Sequence, residues 1–227
     1  MENTALIPVP KLENDFYDWH VRHEAKCAAA NAKNHDLIFI GDSITHFFEG
    51  HAGFENKGDA VWRKFYGKRK ALNLGFGWDR TQNALYRLRH GEFRGQTPKL
   101  AVVCIGTNNN SCTVNARDNS PEETVEGVCA VCDEILKQSP KTHVLVQALF
   151  PRDMKGSQMR GRVDAINAGL AKAIPQKANC EFINFGERLL DAAGEIPLEL
   201  MPDRTHPSEA GYRIWAEAIE PIVKRWL

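Results

Sequence analysis

The chain has 227 residues, of which 43% are hydrophobic and 26% are charged, a composition typical of one ordinary globular core spanning 1–227. Its 29 basic and 29 acidic residues cancel, so the overall charge favours neither nucleic acid nor an anionic membrane surface as a partner. No apolar stretch approaches the roughly 20 residues that span a bilayer, so no membrane insertion is expected. Residues 1–8 lack the basic start and apolar segment of a secretory signal, which predicts a cytoplasmic protein; a signal already removed is the alternative.

Hydrophobic periodicity predicts helices and strands in alternation along the chain. The first helix is predicted over 15–33, in an N-terminal extension (1–33) packed on the first strand, with Phe16, Trp19, His23 and Cys27 at helical steps. Strands are predicted at 37–40, 71–74, 100–105, 143–149 and 181–184. The remaining helices are predicted at 59–66, 81–90, 120–138, 159–173 and 208–226. The helix near 120 has the clearest start, because Ser120 and Glu123 form a capping-box pattern with Pro121 at the first helical position.

Apolar strands that alternate with amphipathic helices indicate right-handed crossovers and a mostly parallel sheet covered on both faces. The sequence therefore predicts a three-layer α/β/α sandwich with a five-stranded sheet. In such folds, functional groups gather at the carboxyl ends of the strands.

Four short blocks carry candidate chemistry, and each of the first three follows its own apolar run. They are Gly41-Asp42-Ser43, Asn73-Leu74-Gly75, Gly106-Thr107-Asn108 and, near the C-terminus, Asp203 to His206. Together they supply the parts that acyl transfer requires: a nucleophile, oxyanion donors, a base and an acid that orients the base.

A serine hydroxyl needs a base to take its proton as it attacks, and His206 is the candidate base for Ser43. Asp203 lies three residues before His206, close enough for its carboxylate to orient the imidazole. The oxyanion donors expected are the backbone N–H groups of Ser43 and Gly75 and the side-chain amide of Asn108.

Each block taken alone also has a purely structural interpretation. Asp203 could cap the last helix, His206 could be an ordinary surface histidine, and Asn108 could belong to a plain turn. The acyl-transfer hypothesis rests on the order and spacing of all four blocks together.

The four blocks resemble those of the SGNH hydrolases, also called GDSL esterases, over most of the chain. Within that family, the stretches 61–81, 106–109, 149–152 and 206–212 are similar to the catalytic subunits of platelet-activating factor acetylhydrolase and their bacterial relatives. The resemblance implies a flavodoxin-like fold and a triad of Ser43, Asp203 and His206. It also implies short acyl groups, especially acetyl, no metal and no other cofactor. A homodimer is one assembly that these relatives suggest.

Two positions depart from the family pattern. Ile44 replaces the leucine of the GDSL name, which is a conservative change. Trp78 stands where relatives tend to have a second glycine, so it either narrows the pocket beside the oxyanion donors or packs under a neighbouring loop.

Aromatic residues near the predicted strand ends suggest a rim that could stack sugar rings or accept acyl chains; they are Phe47, Phe48, Phe54, Trp62, Trp78 and Phe150. Arg80 and Arg152 could bind an acidic group of the substrate or form surface ion pairs. We therefore expect a small ester as the partner and an O-acetyl esterase acting on a carbohydrate. An acetylated lipid or another small ester is the second candidate, and a catalytically retired binding module is a third.

Metal-dependent hydrolysis is the main rival mechanism, with His20, His23, His46 and His51 as conceivable ligands, although none lies in a recognisable metal motif. The chain lacks the Gly-x-Ser-x-Gly nucleophile elbow of the usual α/β-hydrolases. All six cysteines are expected to be free thiols, and Cys129 and Cys132 are expected to be core residues one helical turn apart.

Overall fold

The computed structural model describes residues 2–51 and 57–227. Met1 and residues 52–56, which include the aromatic residue Phe54 of the predicted rim, lie outside the described residues.

Five parallel strands form one sheet in the order β2-β1-β3-β4-β5. The strands are β1 (Leu37–Gly41), β2 (Ala71–Gly75), β3 (Leu100–Cys104), β4 (His143–Gln147) and β5 (Cys180–Ile183). This is the flavodoxin-like strand order, in which the chain changes winding direction between β1 and β3. The predicted α/β class and sheet are confirmed, and every described pairing is parallel.

Helices cover both faces of this sheet. They are α1 (Trp19–Ala32), α2 (Ser43–Phe48), α3 (Asp59–Tyr66), α4 (Thr81–Arg87), α5 (Pro121–Gln138), α6 (Gln158–Ala173) and α7 (Glu209–Trp226). Alternate side chains of β1 point to opposite faces: Ile38 and Ile40 join the core beneath α4, α5 and α6, whereas Leu37 and Phe39 join the core beneath α3 and α7. Burial on both faces explains why the strands are apolar throughout.

Most predicted elements lie within a few residues of their observed positions, and α1 and α2 are the informative exceptions. Helix α1 begins at Trp19 rather than at residue 15, because the Asp18 carboxylate caps it by accepting from the N–H groups of His20 and Val21. Residues 15 and 16 therefore lie in an irregular segment before the helix. The short helix α2, which starts at Ser43, was not predicted.

The carboxyl ends of β1, β2 and β3 meet at one edge of the sheet. Gly41, the last residue of β1, is level with Gly75 on one side and Cys104 on the other. A Cβ at Gly41 would lie 2.0 Å from the Thr45 hydroxyl and 2.4 Å from the Cys104 carbonyl oxygen, so only glycine fits there. The loops that carry the first three blocks consequently leave the sheet side by side.

In the described part of the chain, no helix is both long enough and apolar enough to cross a bilayer.

Candidate active site

Ser43 is the first residue of α2 and lies two residues after the end of β1, an interior strand of the sheet. Asp42 is the N-cap of this helix, and its Oδ1 atom accepts a hydrogen bond from the Ile44 N–H at 3.0 Å. The Tyr212 hydroxyl donates to the Ile44 carbonyl oxygen at 2.7 Å, which ties α2 to α7. Ser43 therefore lies on a short helix that is held by the Asp42 cap and by the hydrogen bond from Tyr212.

A hydrogen-bonded series joins the three residues predicted to form the triad. The Ser43 Oγ atom lies 2.9 Å from His206 Nε2, and His206 Nδ1 lies 2.7 Å from Asp203 Oδ2. The other carboxylate oxygen of Asp203 accepts from the backbone N–H groups of Thr205 and His206, at 2.9 and 2.7 Å. The segment between β5 and α7 thus folds back as expected, and the Asp203 carboxylate holds both the backbone and the ring of the histidine.

The Asp203 carboxylate is held in its ionised form. Partial burial acts to raise its pKa, but the hydrogen bonds from the His206 ring and backbone and from the Thr205 N–H outweigh burial and lower the pKa to about 2. An ionised acceptor keeps the proton of His206 on Nδ1 and leaves Nε2 facing the Ser43 hydroxyl.

Gly75 does not take the place predicted for it. Its N–H donates to the side-chain Oδ1 of Asn73 at 2.8 Å, so this donor is already used. Asn73 is itself fixed, because its Nδ2 donates to the Thr45 carbonyl oxygen at 2.6 Å. A Cβ at Gly75 would lie 2.2 Å from the His46 nitrogen, so the glycine permits the close approach of β2 to α2. The prediction of Gly75 as an oxyanion donor is therefore corrected.

Trp78 lies in the loop after β2 and borders the pocket beside Ser43. Its φ is 61°, in the left-handed region that non-glycine residues rarely adopt. Within the described residues, the Trp78 N–H has no hydrogen-bond acceptor, and neither does the Ser43 N–H. The sequence analysis considered only the side chain of Trp78 and did not identify its backbone N–H as a candidate hydrogen-bond donor.

Asn108 lies in a one-turn helix that follows β3, and its side chain also borders the pocket. One proton of its amide is donated to the Asp79 carbonyl oxygen at 3.0 Å, which leaves the second proton for a ligand. Gly106 precedes this turn with φ of 128°, a conformation that strongly favours glycine.

The loop of Trp78 is anchored through the buried carboxylate of Asp79. Asp79 accepts from Arg87 Nε at 2.6 Å and from the Trp19 indole N–H at 2.8 Å. Arg87 also binds Glu92 at 2.5 Å, and all of these side chains are buried. The N-terminal helix α1 thus helps to fix the loop that borders the candidate site.

The pocket over Ser43 has a volume of about 170 Å³. Its described lining comprises Asp15, Phe16, Ser43, Phe47, Trp78, Asn108, Arg152, Thr205 and His206. Two of the residues predicted to contact the substrate, Trp78 and Arg152, line this pocket. The indole of Trp78 is 40% exposed. Arg152 is half-buried and makes two weak hydrogen bonds to Thr107, to its carbonyl oxygen at 3.3 Å and to its hydroxyl at 3.4 Å.

Arg80 is not in the pocket, so its predicted substrate contact is wrong. Its side chain is fully buried and donates to the carbonyl oxygens of Arg117 at 2.7 Å and Ser111 at 2.8 Å. These carbonyl groups belong to the loop after β3, far along the sequence, and they make Arg80 a structural residue.

The aromatic rim is also smaller than predicted. Phe47 lines the pocket, with its ring centroid 5.3 Å from that of His206. Phe48 and Phe150 are buried in the core around Trp215, and Trp62 packs against the Phe39 ring.

Asp15 and Phe16 contribute to the pocket, although the sequence analysis placed them on a helix. Asp18 could have predicted the true start of α1, because an aspartate just before an apolar helical pattern is a typical N-cap. A helix that starts after Asp18 leaves residues 15 and 16 in a loop, where binding residues commonly lie.

The histidines of the rival metal mechanism have other surroundings. His23 pairs with Glu92 at 2.7 Å, and His46 is buried among aromatic rings, where burial lowers its pKa to about 2. Across 2–51 and 57–227, no three His, Cys, Asp or Glu side chains are grouped so as to share a metal ion. All six cysteines are free, as expected; on α5, Cys132 is buried in the core, whereas Cys129 is only partly buried.

Comparisons with known proteins agree with this architecture. A family model described as the GDSL-like lipase/acylhydrolase family matches residues 39–214. Platelet-activating factor acetylhydrolase IB subunit alpha2 of Rattus norvegicus is 27% identical over 226 residues, which cover 99% of this chain and 92% of that protein.

Two solved structures share the fold. A GDSL-like lipase from Bacteroides thetaiotaomicron matches with a TM-score of 0.71 and 17% identity, over 92% of this chain and 98% of that chain. An acetylxylan esterase from Geobacillus stearothermophilus matches with a TM-score of 0.63 and 21% identity, over 82% of this chain and 93% of that chain. Because the family model spans well over half of the sequence and the sheet has the expected strand order, the chain belongs to the GDSL-like lipase/acylhydrolase family and is a carboxylic ester hydrolase.

Proposed function

We propose that this protein is a serine esterase that removes short acyl groups, chiefly acetyl, from the hydroxyl groups of a carbohydrate. The observation that carries the proposal is the series from Ser43 Oγ to His206 Nε2, at 2.9 Å, and from His206 Nδ1 to Asp203 Oδ2, at 2.7 Å. These are the distances at which a base can accept the proton of a nucleophile and an acid can orient the base.

In the proposed reaction, Ser43 Oγ attacks the ester carbonyl carbon while its proton passes to His206 Nε2. The resulting imidazolium is stabilised by the ionised Asp203, whose lowered pKa keeps it charged throughout the neutral range. His206 then gives the proton to the departing alcohol oxygen, and an acyl group remains on Ser43. Water, activated by the same histidine, attacks this acyl-enzyme and releases the carboxylic acid.

We assign the oxyanion donors to the N–H groups of Ser43 and Trp78 and to the Asn108 amide. Three observations support this assignment: both N–H groups lack acceptors within the described residues, the second Asn108 proton is available, and all three residues border the pocket. The bond from Asn108 to the Asp79 carbonyl oxygen also joins the donor side chain to the loop of Trp78. Donors fixed in this way need little reorganisation when charge develops on the carbonyl oxygen.

The size of the pocket supports a short acyl group. Its 170 Å³ is well below the roughly 300–1,000 Å³ of typical small-molecule sites. A long acyl chain would have to leave part of its length outside, and each methylene left in water forgoes about 0.8 kcal/mol of burial.

The carbohydrate part of the proposal rests on the exposed ring surface at the pocket, since the Trp78 indole is 40% exposed. An indole face can pack on the apolar face of a sugar ring. The acetylxylan esterase among the structural neighbours gives this choice a precedent within the fold.

An acetylated lipid is the second candidate, because the platelet-activating factor acetylhydrolase subunit matches almost the whole chain. The same triad chemistry can release acetate from a carbohydrate or from a lipid. The two candidate functions therefore differ in the alcohol half of the ester and not in the acyl group.

The test compares hydrolysis of p-nitrophenyl acetate, acetylated xylosides and an acetylated glycerophospholipid by the purified enzyme. Ser43→Ala should lower kcat by about 10⁶-fold with an unchanged thermal midpoint. Ser111→Ala is the matched control, because the Ser111 hydroxyl makes no hydrogen bond with the described residues and does not line the pocket. Substantial turnover by the Ser43 variant would refute the nucleophile, and a preference for the phospholipid would favour the second candidate.

A further inference from the structure

The pocket contains a carboxylate that the proposed reaction does not use. Asp15 lines the pocket together with Ser43 and His206, and its side chain is half-buried. Its Oδ1 atom accepts the N–H of Phe16 at 2.8 Å. Its Oδ2 atom accepts no hydrogen bond from the described residues, so one acceptor oxygen is left for a ligand or water.

The position of this free oxygen is fixed by the loop beneath it. A Cβ at Gly77 would lie 2.0 Å from Asp15 Oδ2, so the carboxylate rests directly on Gly77, next to Trp78. The Tyr17 hydroxyl donates to the Gly77 carbonyl oxygen at 3.2 Å, which ties the 15–17 segment to the same loop. The glycine at position 77 therefore leaves the space that the carboxylate occupies.

An ionised carboxylate can only accept hydrogen bonds, and beside an oxyanion site it opposes the developing negative charge. Burial raises the pKa of Asp15, whereas the Phe16 N–H and the nearby rings of His206 and His51 act to lower it. A complementary ligand must offer a hydrogen-bond donor or a cation to this oxygen.

The acyl half of an acetate ester carries a methyl group and a carbonyl oxygen, and neither donates a hydrogen bond. The donor must therefore belong to the alcohol half of the substrate. A polyol that is acetylated on one hydroxyl offers such a donor on a neighbouring carbon, and its ring can lie against Phe16, Phe47 and Trp78, which border the same pocket.

We propose that Asp15 is a specificity-determining residue that accepts a hydrogen bond from a free hydroxyl group of the alcohol half of the ester. This inference rests on the proposed esterase function and narrows its substrate to partly acetylated polyols, such as sugars with a hydroxyl adjacent to the acetate. Fully acetylated sugars and simple aryl acetates lack that donor.

The experiment measures kcat/KM of the wild type, Asp15→Ala and Asp15→Asn on a monoacetylated methyl xyloside, the fully acetylated xyloside, p-nitrophenyl acetate and acetylcholine. Asparagine keeps an acceptor for the Phe16 N–H, which guards against misfolding of the segment. Glu24→Gln is the control for loss of one negative charge, since Glu24 is exposed on α1 and outside the pocket. Thermal midpoints are compared for all variants.

We expect Asp15→Ala to lower kcat/KM for the monoacetylated xyloside by about 10- to 100-fold, as for loss of a hydrogen bond to a charged group. Asp15→Asn should fall between alanine and the wild type. The loss on the monoacetylated xyloside should exceed any change on the fully acetylated xyloside and on p-nitrophenyl acetate by about tenfold or more, because those two esters offer no hydroxyl donor to Asp15.

Several outcomes would overturn the proposal. An equal loss on all four esters would indicate a general effect on the site, and the largest loss on acetylcholine would show that the carboxylate recognises a cation. A wild type that prefers the fully acetylated xyloside would also refute the hydroxyl contact. Failure of the wild type to cleave any of these esters would instead refute the proposed function.

Discussion

Replacement of Asp42 by Asn should make the protein more stable at neutral and alkaline pH. Asp42 is fully buried beside the nucleophile, and its Oδ2 atom has no hydrogen-bond partner within the described residues. Burial raises the pKa of this carboxyl from 3.8 to about 7, although the Ile44 N–H and the charges of His206 and Arg152 oppose the shift.

The sign of the effect follows from proton uptake. Between the unfolded pKa near 3.8 and the folded pKa near 7, the folded state keeps a proton that the unfolded state has lost, so stability falls as pH rises. Relative to a pH at which Asp42 is protonated in both states, integration lowers the free energy of unfolding by about 1 kcal/mol at pH 4.5 and by about 4 kcal/mol at pH 8. Asparagine does not ionise, and its carbonyl oxygen can still cap α2 through the Ile44 N–H.

The measurement is the free energy of unfolding in urea for the wild type and Asp42→Asn at pH 4.5 and pH 8. The advantage of the variant over the wild type should grow by about 3 kcal/mol between the two pH values. Glu24→Gln, a change at an exposed position on α1, should show no such difference. An equal effect of Asp42→Asn at both pH values would show that the carboxyl ionises in the folded protein as easily as in the unfolded chain.

Three further predictions concern turnover. Asn108→Ala should lower kcat by about 10²- to 10³-fold with little change in KM, because the amide acts on the developing oxyanion. The control is Asn110→Ala, which should retain far more activity, because the amide of Asn110 donates to the Thr107 carbonyl oxygen. A rise in KM at constant kcat would instead make Asn108 a ground-state contact. Trp78→Gly keeps the backbone N–H and suits the left-handed backbone, so it should retain p-nitrophenyl acetate hydrolysis but lose kcat/KM on an acetylated xyloside, because the indole is proposed to pack on the sugar ring. An equal change on both esters would show that the indole does not contact the sugar. Turnover should survive EDTA, since every proposed step uses side chains and backbone groups; loss with EDTA and recovery with zinc would contradict the serine mechanism.

The sequence by itself determined the order of elements and the parts of the triad. Strand and helix patterns are local, because burial on both faces makes strands apolar throughout and amphipathic helices follow a 3.6-residue period. The capping box at α5 is an example: Ser120 and Glu123 bond reciprocally to each other's backbone N–H, as their residue types and spacing predicted. The parallel topology then brought Ser43 and Asn108 to one edge, since the carboxyl ends of neighbouring parallel strands coincide.

Tertiary structure alone decided which neighbours compete for each polar group. The sequence makes Gly75 a plausible oxyanion donor, but in the folded chain Asn73 Oδ1 accepts its N–H. We assign that role to the N–H of Trp78, whose left-handed backbone conformation cannot be predicted from a tryptophan in the sequence. Arg80 is buried because carbonyl groups 31 and 37 residues later in the chain accept its guanidinium protons. Asp15 enters the pocket because α1 starts four residues later and packs against the loop after β2. The acceptors of Arg80 are far away in sequence, and the short-range bond from Gly75 to Asn73 depends on Thr45, whose carbonyl oxygen holds the Asn73 side chain, so only the folded chain determines these partners.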